Sequence, residues 1–182
     1  MTERVDRPNT AVLVIDVQND VVAAAHERDA VVANIDQVVQ QGRQAGLPVI
    51  WVQHNDDGLA RDTPGWEIVP ELEPLPEESI VHKSLRDSFE GTDLESILAA
   101  NGIGRLIVTG AQTDFCVRWT LHGALTRGYD TVLVGDAHTT DAVSPGDMPD
   151  GQAIIAHTNS TWGSQAGGRC ESSVTTASGL DL

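Results

Sequence analysis

Short runs of apolar, mostly β-branched residues alternate along this chain with segments of helical character. Six runs have the length and composition of strands: 11–17, 48–54, 79–83, 105–109, 130–135 and 172–177. Four segments between or after them predict helices: 29–45, 93–100, 114–127 and 149–162. Strands that are apolar on both faces indicate a sheet covered by helices. The alternation therefore predicts a three-layer α/β/α fold with a doubly wound, mainly parallel six-stranded sheet.

The 182 residues contain no repeat, low-complexity tract or linker, so we expect one domain over 1–182. Segment 55–78 is an acidic loop with four prolines. A loop of this length inside a compact domain is usually functional. The sequence shows neither a signal peptide nor an apolar stretch of the ~20 residues that a membrane span needs. We expect a cytoplasmic protein that does not bind membranes.

The charge balance excludes another class of partner. The chain has 11 basic and 27 acidic residues, a net charge of −16. Because nucleic-acid binding depends on Lys and Arg contacts to phosphates, we expect no nucleic-acid partner. The two cysteines, Cys116 and Cys170, lie far apart without a C-x-x-C pattern, which excludes a disulfide scaffold and a zinc ribbon.

Three polar residues follow or end predicted strands, where open parallel sheets form their sites. Asp16 ends the first run, Lys83 ends the third, and Cys116 comes shortly after the fourth, in the first turn of a helix. Each has an ordinary explanation by itself: a structural carboxylate, a surface lysine and an inert buried thiol. Lys83 is, however, the single lysine beside ten arginines. A carboxylate, an ammonium and a thiol at one sheet edge together indicate an activated nucleophile.

The charges around Cys116 make a further prediction. A helix N-terminus and a nearby cation lower the pKa of a thiol, whereas a nearby anion raises it. The helix near Asp114 and the Lys83 ammonium oppose the Asp16 carboxylate in this way. With two lowering effects against one, we expect a lowered pKa for Cys116 and a reactive thiolate at neutral pH.

Over roughly residues 10–162 the chain resembles the isochorismatase-like cysteine hydrolases. The matching stretches, in the order of the family, are VLVIDVQND at 12–20, VHKSLRDSFEGTDLESIL at 81–98, LIVTGAQTDFCVRWT at 106–120 and GYDTVLVGDAHTT at 128–140. The resemblance implies a catalytic triad in which Asp16 takes the thiol proton and Lys83 stabilises the charged state. Cys116 would attack a carbonyl and form an acyl-enzyme.

The resemblance also implies an oxyanion hole next to the cysteine. In the family, the turn before the cysteine usually contains a cis peptide bond, and here that bond would join Ala111 to Gln112. The backbone N–H groups of Gln112 and Cys116 would then point at one spot, and each such donor lowers the barrier by about 3 kcal/mol.

The pocket and the partners are less sharply predicted. Four aromatic residues are candidates for substrate binding: Trp66, Phe89, Phe115 and Trp119. Core packing is an equal alternative for the two phenylalanines, and Trp66 could instead form a subunit contact. Val21 and Val22 stand where many family members carry Phe, so the pocket should differ from theirs. The family commonly forms dimers or tetramers, which implies a homo-oligomer.

Nicotinamidases of this family hold a divalent metal through an Asp-x-His pair and a further His after the second strand. Here that region reads QHNDDGLARD, and His54 has no second histidine nearby. We therefore expect no metal and no other cofactor. The sequence predicts a metal-independent cysteine hydrolase that cleaves an amide or ureido C–N bond of a small molecule. The alternatives are an isochorismatase-type vinyl ether hydrolase, a nicotinamidase, and an idle binding protein on the same fold.

Overall fold

The computed structural model describes residues 6–143, 146–165 and 170–182. Within them the strands are β1 (Asn9–Ile15), β2 (Val49–His54), β3 (Ser79–Lys83), β4 (Ile103–Ala111), β5 (Asp130–Thr139) and β6 (Ser172–Thr175). The α-helices are α1 (Asn19–Val22), α2 (Arg28–Gln44), α3 (Leu94–Ala100), α4 (Arg118–Arg127) and α5 (Gly151–Trp162).

The strands form one sheet in the order β3-β2-β1-β4-β5-β6, and every neighbouring pair is parallel. The predicted three-layer α/β/α architecture is confirmed. Successive residues of β1 point to opposite faces, so Leu13 and Ile15 pack in one apolar cluster and Val12 and Val14 in the other. The first cluster includes residues of α3, α4 and α5, and the second is built largely on α2.

Two differences from the sequence prediction have local causes. Helix α1 has four residues, too few to show an apolar period, and it was not predicted. Strand β5 runs to Thr139, past its predicted end at 135. Its last residues alternate in polarity and pair with Gly110 and Ala111 of β4 after an irregularity in register. Segment 55–78 contains no helix or strand, as predicted.

The strand order changes direction between β1 and β4. Strands β2 and β3 lie on one side of β1, and β4, β5 and β6 follow one another on its other side. Gly110 allows β1 and β4 to meet closely there, because its φ is 114° and an added Cβ would lie 2.1 Å from the carbonyl oxygen of Ile15. Ligand sites of doubly wound sheets form at such a switch in strand order. Asp16 follows Ile15 directly, so it enters this crevice from the end of β1.

Candidate active site

The ends of four adjacent strands bring the predicted residues together. Asp16 directly follows β1, with its backbone N–H donating to the carbonyl oxygen of Val52 at 2.9 Å. Lys83 is the last residue of β3 and pairs in register with His54, the last residue of β2. Cys116 follows β4 after a tight turn. All of these positions lie at the carboxyl edge of the sheet.

Asp16 and Lys83 form a buried ion pair. Lys83 Nζ lies 2.6 Å from Asp16 Oδ2, and the two side chains are 0% and 1% exposed for Lys83 and Asp16, respectively. Nζ also donates to the carbonyl oxygen of Leu85 at 3.2 Å and lies 3.4 Å from His54 Nδ1. An ammonium has three protons and no lone pair. The three acceptors around Nζ therefore match its three donors.

The Cys116 thiol interacts electrostatically with both members of this pair. Burial is the main influence on it and raises the pKa of the Cys116 thiol to about 12, with the Asp16 carboxylate adding to the rise and the Lys83 ammonium opposing it. The predicted lowering of this pKa is therefore wrong. The sequence revealed the charges around the thiol, but it did not reveal how fully the site is withdrawn from water.

Burial also raises the pKa of Asp16, although Lys83 and the Cys116 thiol work in the opposite direction. A carboxylate with a raised pKa holds a proton more readily than an exposed one. The site thus places a protonated thiol against a carboxylate suited to accept its proton. An arrangement of this kind can serve as a nucleophile with its general base.

We call residues 112–117 the Cys116 turn. It begins after the Ala111–Gln112 peptide bond, which is cis, and it contains the π-helical turn Thr113–Val117 that leads into α4. Three consecutive residues fasten it to the end of β5 and the residues that follow. The bonds join Thr113 Oγ1 to His138 Nδ1 (2.8 Å), Thr140 Oγ1 to Asp114 Oδ1 (2.7 Å) and Gln112 Nε2 to Asp141 Oδ1 (2.8 Å).

A cavity of about 770 Å³ opens above the ion pair and the thiol. Phe115 lines it, as the sequence suggested, and the Arg86 guanidinium lies 4.2 Å from the centre of the Phe115 ring. The remaining lining residues come from α1, the turn after β2, the segment after β3 and the segment after β5. They include Asp20, Val21, Ala24, Asp56, Leu59, Ser84, Leu85 and Asp141.

Three of the four aromatic candidates lie elsewhere. Phe89 is 6% exposed and packs in the core beside Tyr129, which is the core-packing alternative. Trp66 packs against the His82 ring, with 5.5 Å between the ring centres. Trp119 is 52% exposed on α4. None of these three lines the cavity.

Residues 55–78 form what we call the pocket loop, because Asp56 and Leu59 contribute to the cavity wall. Gln18 attaches this loop to the sheet. Its Nε2 donates to the carbonyl oxygens of His54 (3.0 Å) and Trp66 (2.7 Å), and its Oε1 accepts from the His54 N–H (2.8 Å). The polar stretch after β1 therefore binds backbone groups of the loop.

The sequence analysis missed His54, Asp56, Arg86 and Asp141 as residues of this site. The polar stretch after Lys83 was a signal for Arg86, but a strand-end histidine has many ordinary roles. His54 Nε2 lies 3.1 Å from Asp56 Oδ2, so these two groups bind one another. Among the residues that the structure describes, no group of three or more His, Cys, Asp or Glu side chains could hold a metal ion. No helix in the described ranges is long and apolar enough to cross a membrane.

Comparison with known proteins places this chain in a family. The isochorismatase domain model matches residues 10–148. A streptothricin hydrolase of Streptomyces noursei is 37% identical over 140 residues, which cover 74% of this chain and 56% of that protein. The chain thus spans about half the length of this relative. A ureidoacrylate amidohydrolase of Caulobacter vibrioides is 30% identical, covering 74% of this chain and 79% of its own.

Solved structures agree with the sequence matches. An isochorismatase structure from Pseudomonas putida has a TM-score of 0.82 at 25% identity, covering 98% of this chain and 92% of its own. The family model covers most of the chain, and the predicted resemblance is confirmed. The chain belongs to the isochorismatase-like cysteine hydrolase family.

Proposed function

We propose that this protein hydrolyses an amide or ureido C–N bond of a small molecule through a thioester on Cys116. One observation carries the proposal: the thiol of Cys116 shares a buried carboxylate, Asp16, with the ammonium of Lys83. The names of two relatives, a streptothricin hydrolase and a ureidoacrylate amidohydrolase, support hydrolysis as the reaction class.

In the first half-reaction, Asp16 takes the proton of the Cys116 thiol while Sγ attacks the carbonyl carbon. The electron pair of the C=O bond moves to oxygen, and Lys83 balances the negative charge that develops in the site. The backbone N–H groups of Gln112 and Cys116 are the proposed donors to this oxyanion. When the oxyanion collapses, the C–N bond breaks and the Asp16 proton moves to the leaving nitrogen. Ammonia or an amine departs, and the acyl group stays on sulfur.

The second half-reaction restores the enzyme. A water molecule enters the space that the amine left, Asp16 takes one of its protons, and the oxygen attacks the thioester carbonyl. The C–S bond then breaks, the acid product forms, and the proton on Asp16 returns to Sγ. Because Asp16 accepts and returns a proton in each half-reaction, its raised pKa suits both directions of transfer.

Turnover of a panel of small amides and ureido compounds, followed by ammonia release, tests the proposal. Cys116→Ala should abolish turnover and keep the thermal melt of the wild type, since only the sulfur is removed. Intact-protein mass spectrometry of the wild type during turnover should show an acyl adduct on the peptide that carries Cys116. Turnover that survives in Cys116→Ala contradicts the covalent mechanism.

A second variant separates the base from the nucleophile. Asp16→Asn removes the anion that helps to raise the thiol pKa, so iodoacetamide should alkylate Cys116 faster than in the wild type. The same change removes the proposed base and should lower turnover by about 100-fold or more. If turnover stays at the wild-type level, Asp16 is not the general base. If alkylation slows instead, the Asp16 carboxylate does not hold the thiol in its protonated form.

We also propose that the protein works as a homo-oligomer. Phe115 and Leu85 both line the cavity and are 36% and 49% exposed, and Trp119, one helical turn after Phe115, is 52% exposed. Apolar side chains exposed together favour contact with another subunit. Light scattering coupled to size-exclusion chromatography should give a mass of at least two chains, and Trp119→Glu should lower it. A monomer over the whole concentration range contradicts the proposal.

A further inference from the structure

His54 contacts the proposed catalytic lysine, Lys83, but the proposed mechanism gives this histidine no role. Strand β2 lies between β1 and β3, so its last residue stands between Asp16 and Lys83 at the edge of the sheet. One ring nitrogen, Nδ1, lies 3.4 Å from Lys83 Nζ, and the other, Nε2, lies 3.1 Å from Asp56 Oδ2. The imidazole thus bridges a buried ammonium and a carboxylate at the pocket wall.

These two partners determine where the imidazole proton is. An ammonium only donates, so Nδ1 must accept and carry no proton. The proton of the neutral ring is then on Nε2, from which it is donated to Asp56. Asp56 is held in place by the backbone, since its Oδ1 accepts from the N–H groups of Gly58 (2.8 Å) and Leu59 (2.9 Å). The hydrogen bond from His54 is the largest influence that lowers the pKa of Asp56, which keeps this side chain an acceptor.

We propose that His54, with its tautomer set by Asp56, is a positioning residue that holds the Lys83 ammonium against Asp16 and Cys116. This rests on the proposed function, in which Lys83 stabilises negative charge on the sulfur. The other two protons of Nζ go to Asp16 and to the Leu85 carbonyl oxygen. Without His54, one ammonium proton lacks its acceptor in a fully buried place, and the ammonium shifts from its position beside the thiol.

Asp56 gives this proposal a consequence that a surface residue would not ordinarily have. Its side chain is 54% exposed, and neutralising such a surface carboxylate usually changes little. Here Asp56→Asn would keep Oδ1 for the two backbone donors and would turn an NH₂ group towards His54 Nε2. That nitrogen must then accept, so the ring proton moves to Nδ1 and faces the ammonium. A substitution at the exposed Asp56 should therefore change the reactivity of the buried Cys116 sulfur.

The rate of Cys116 alkylation by iodoacetamide, mapped by peptide mass at about pH 8, reads the position of the ammonium without a substrate. His54→Leu should slow it about tenfold, and His54→Asn, whose Oδ1 can replace Nδ1 as acceptor, should recover it to within about threefold of the wild type. Asp56→Asn should slow it about three- to fivefold, and it should add nothing in the His54→Leu background. Asp57→Asn is the matched control and should leave the rate unchanged, because the neighbouring Asp57 does not line the cavity.

The outcomes separate this inference from the proposed function. Lys83→Ala should slow alkylation by more than any His54 variant, and if it alkylates like the wild type, the role of Lys83 and the proposed function are wrong. If Lys83→Ala is slow while His54→Leu matches the wild type, His54 does not position the lysine. An effect of Asp56→Asn that persists in His54→Leu contradicts the tautomer mechanism. His54→Asn and Asp56→Asn, which are close to isosteric, keep the test valid even if His54→Leu melts early.

Discussion

The Cys116 turn and the pocket loop border the same cavity, but the chain secures them in different ways. Gln112, Thr113 and Asp114 each bind a side chain in or next to the end of β5. The pocket loop has no regular secondary structure, and close to the cavity it is held through its backbone groups, by the side-chain amides of Gln18 and Gln53 and by backbone N–H groups after β1.

This contrast suits two different roles: the Cys116 turn carries the proposed nucleophile, and the pocket loop shapes the cavity in which a substrate would bind. In the proposed mechanism the thiol must stay beside Asp16, and side-chain bonds between the Cys116 turn and the end of β5 hold the turn in place. The loop supplies a wall of the cavity, and one glutamine can attach many different loop sequences because it binds only backbone groups. We expect the turn to stay rigid when the loop is disturbed.

The first prediction concerns the thiol on the turn and has the largest expected effect. With a pKa of about 12, its thiolate fraction rises tenfold for each pH unit at neutral and mildly alkaline pH. Alkylation of Cys116 by iodoacetamide should therefore increase about 100-fold between about pH 7 and pH 9. Peptide mass mapping at each pH measures the rate. A plateau from about pH 7 would show an activated thiolate and contradict the burial of this site.

The second prediction disturbs the loop alone. Gln18→Leu removes this partner from the N–H and C=O groups of His54 and leaves the Trp66 carbonyl oxygen with Gln53 Nε2 alone, so amide hydrogen exchange within 55–78 should speed up about tenfold. Exchange within 112–117 should stay as in the wild type. Asn19→Leu is the control, because it removes one side-chain hydrogen bond to the loop, to the Pro64 carbonyl oxygen at 2.8 Å, and keeps the bond from the Asn19 backbone N–H to the Glu67 carbonyl oxygen. Faster exchange in both regions would show that they are not independent.

The third prediction concerns the pH dependence of stability that comes from His138, which binds Thr113 of the Cys116 turn. Burial lowers the pKa of His138, whose Nδ1 contacts Thr113 and whose Nε2 lies 2.9 Å from Asn159 Oδ1. A histidine with a lowered folded pKa gives its full stability above its unfolded pKa of ~6.5, and stability falls as pH drops below that value. The loss should approach 1.4 kcal/mol per pH unit at most.

Urea unfolding of the wild type and His138→Gln at about pH 7, 6 and 5 measures this dependence. The variant should be less stable at neutral pH and should lose less stability on acidification than the wild type. His157→Gln, on the exposed face of α5, controls for the removal of any histidine. Parallel curves for His138→Gln and the wild type would mean that His138 does not contribute to the acid sensitivity.

The strands and the four strand-end residues show what a sequence can predict. Asp16, Lys83 and Cys116 each follow an apolar run, and parallel strands bring their carboxyl ends to one edge. His54 also ends a strand, but only the register that pairs it with Lys83 gives it a partner. Registers and side-chain directions are tertiary facts that local patterns do not contain.

The electrostatics of Cys116 were predicted in the wrong direction for a similar reason. Charged neighbours can be read from strand ends, whereas burial depends on how the loop, α1 and the turn close around the site. Phe89 and Trp119, two of the predicted candidates for substrate binding, illustrate the same limit. One of them packs in the core and the other lies on the surface.

The protonated state of the Cys116 thiol affects how easily its sulfur is oxidised. Peroxides and disulfides react with thiolates, and a sulfur that reaches the sulfinic stage is lost irreversibly. Because burial and the Asp16 carboxylate hold the Cys116 pKa at about 12, very little of the sulfur is anionic at neutral pH. In the proposed mechanism, the sulfur becomes a strong nucleophile only when Asp16 takes its proton, at the moment when a carbonyl group is present for it to attack. Burial of the proposed nucleophile at the edge of the sheet would therefore also protect it from oxidation between turnovers.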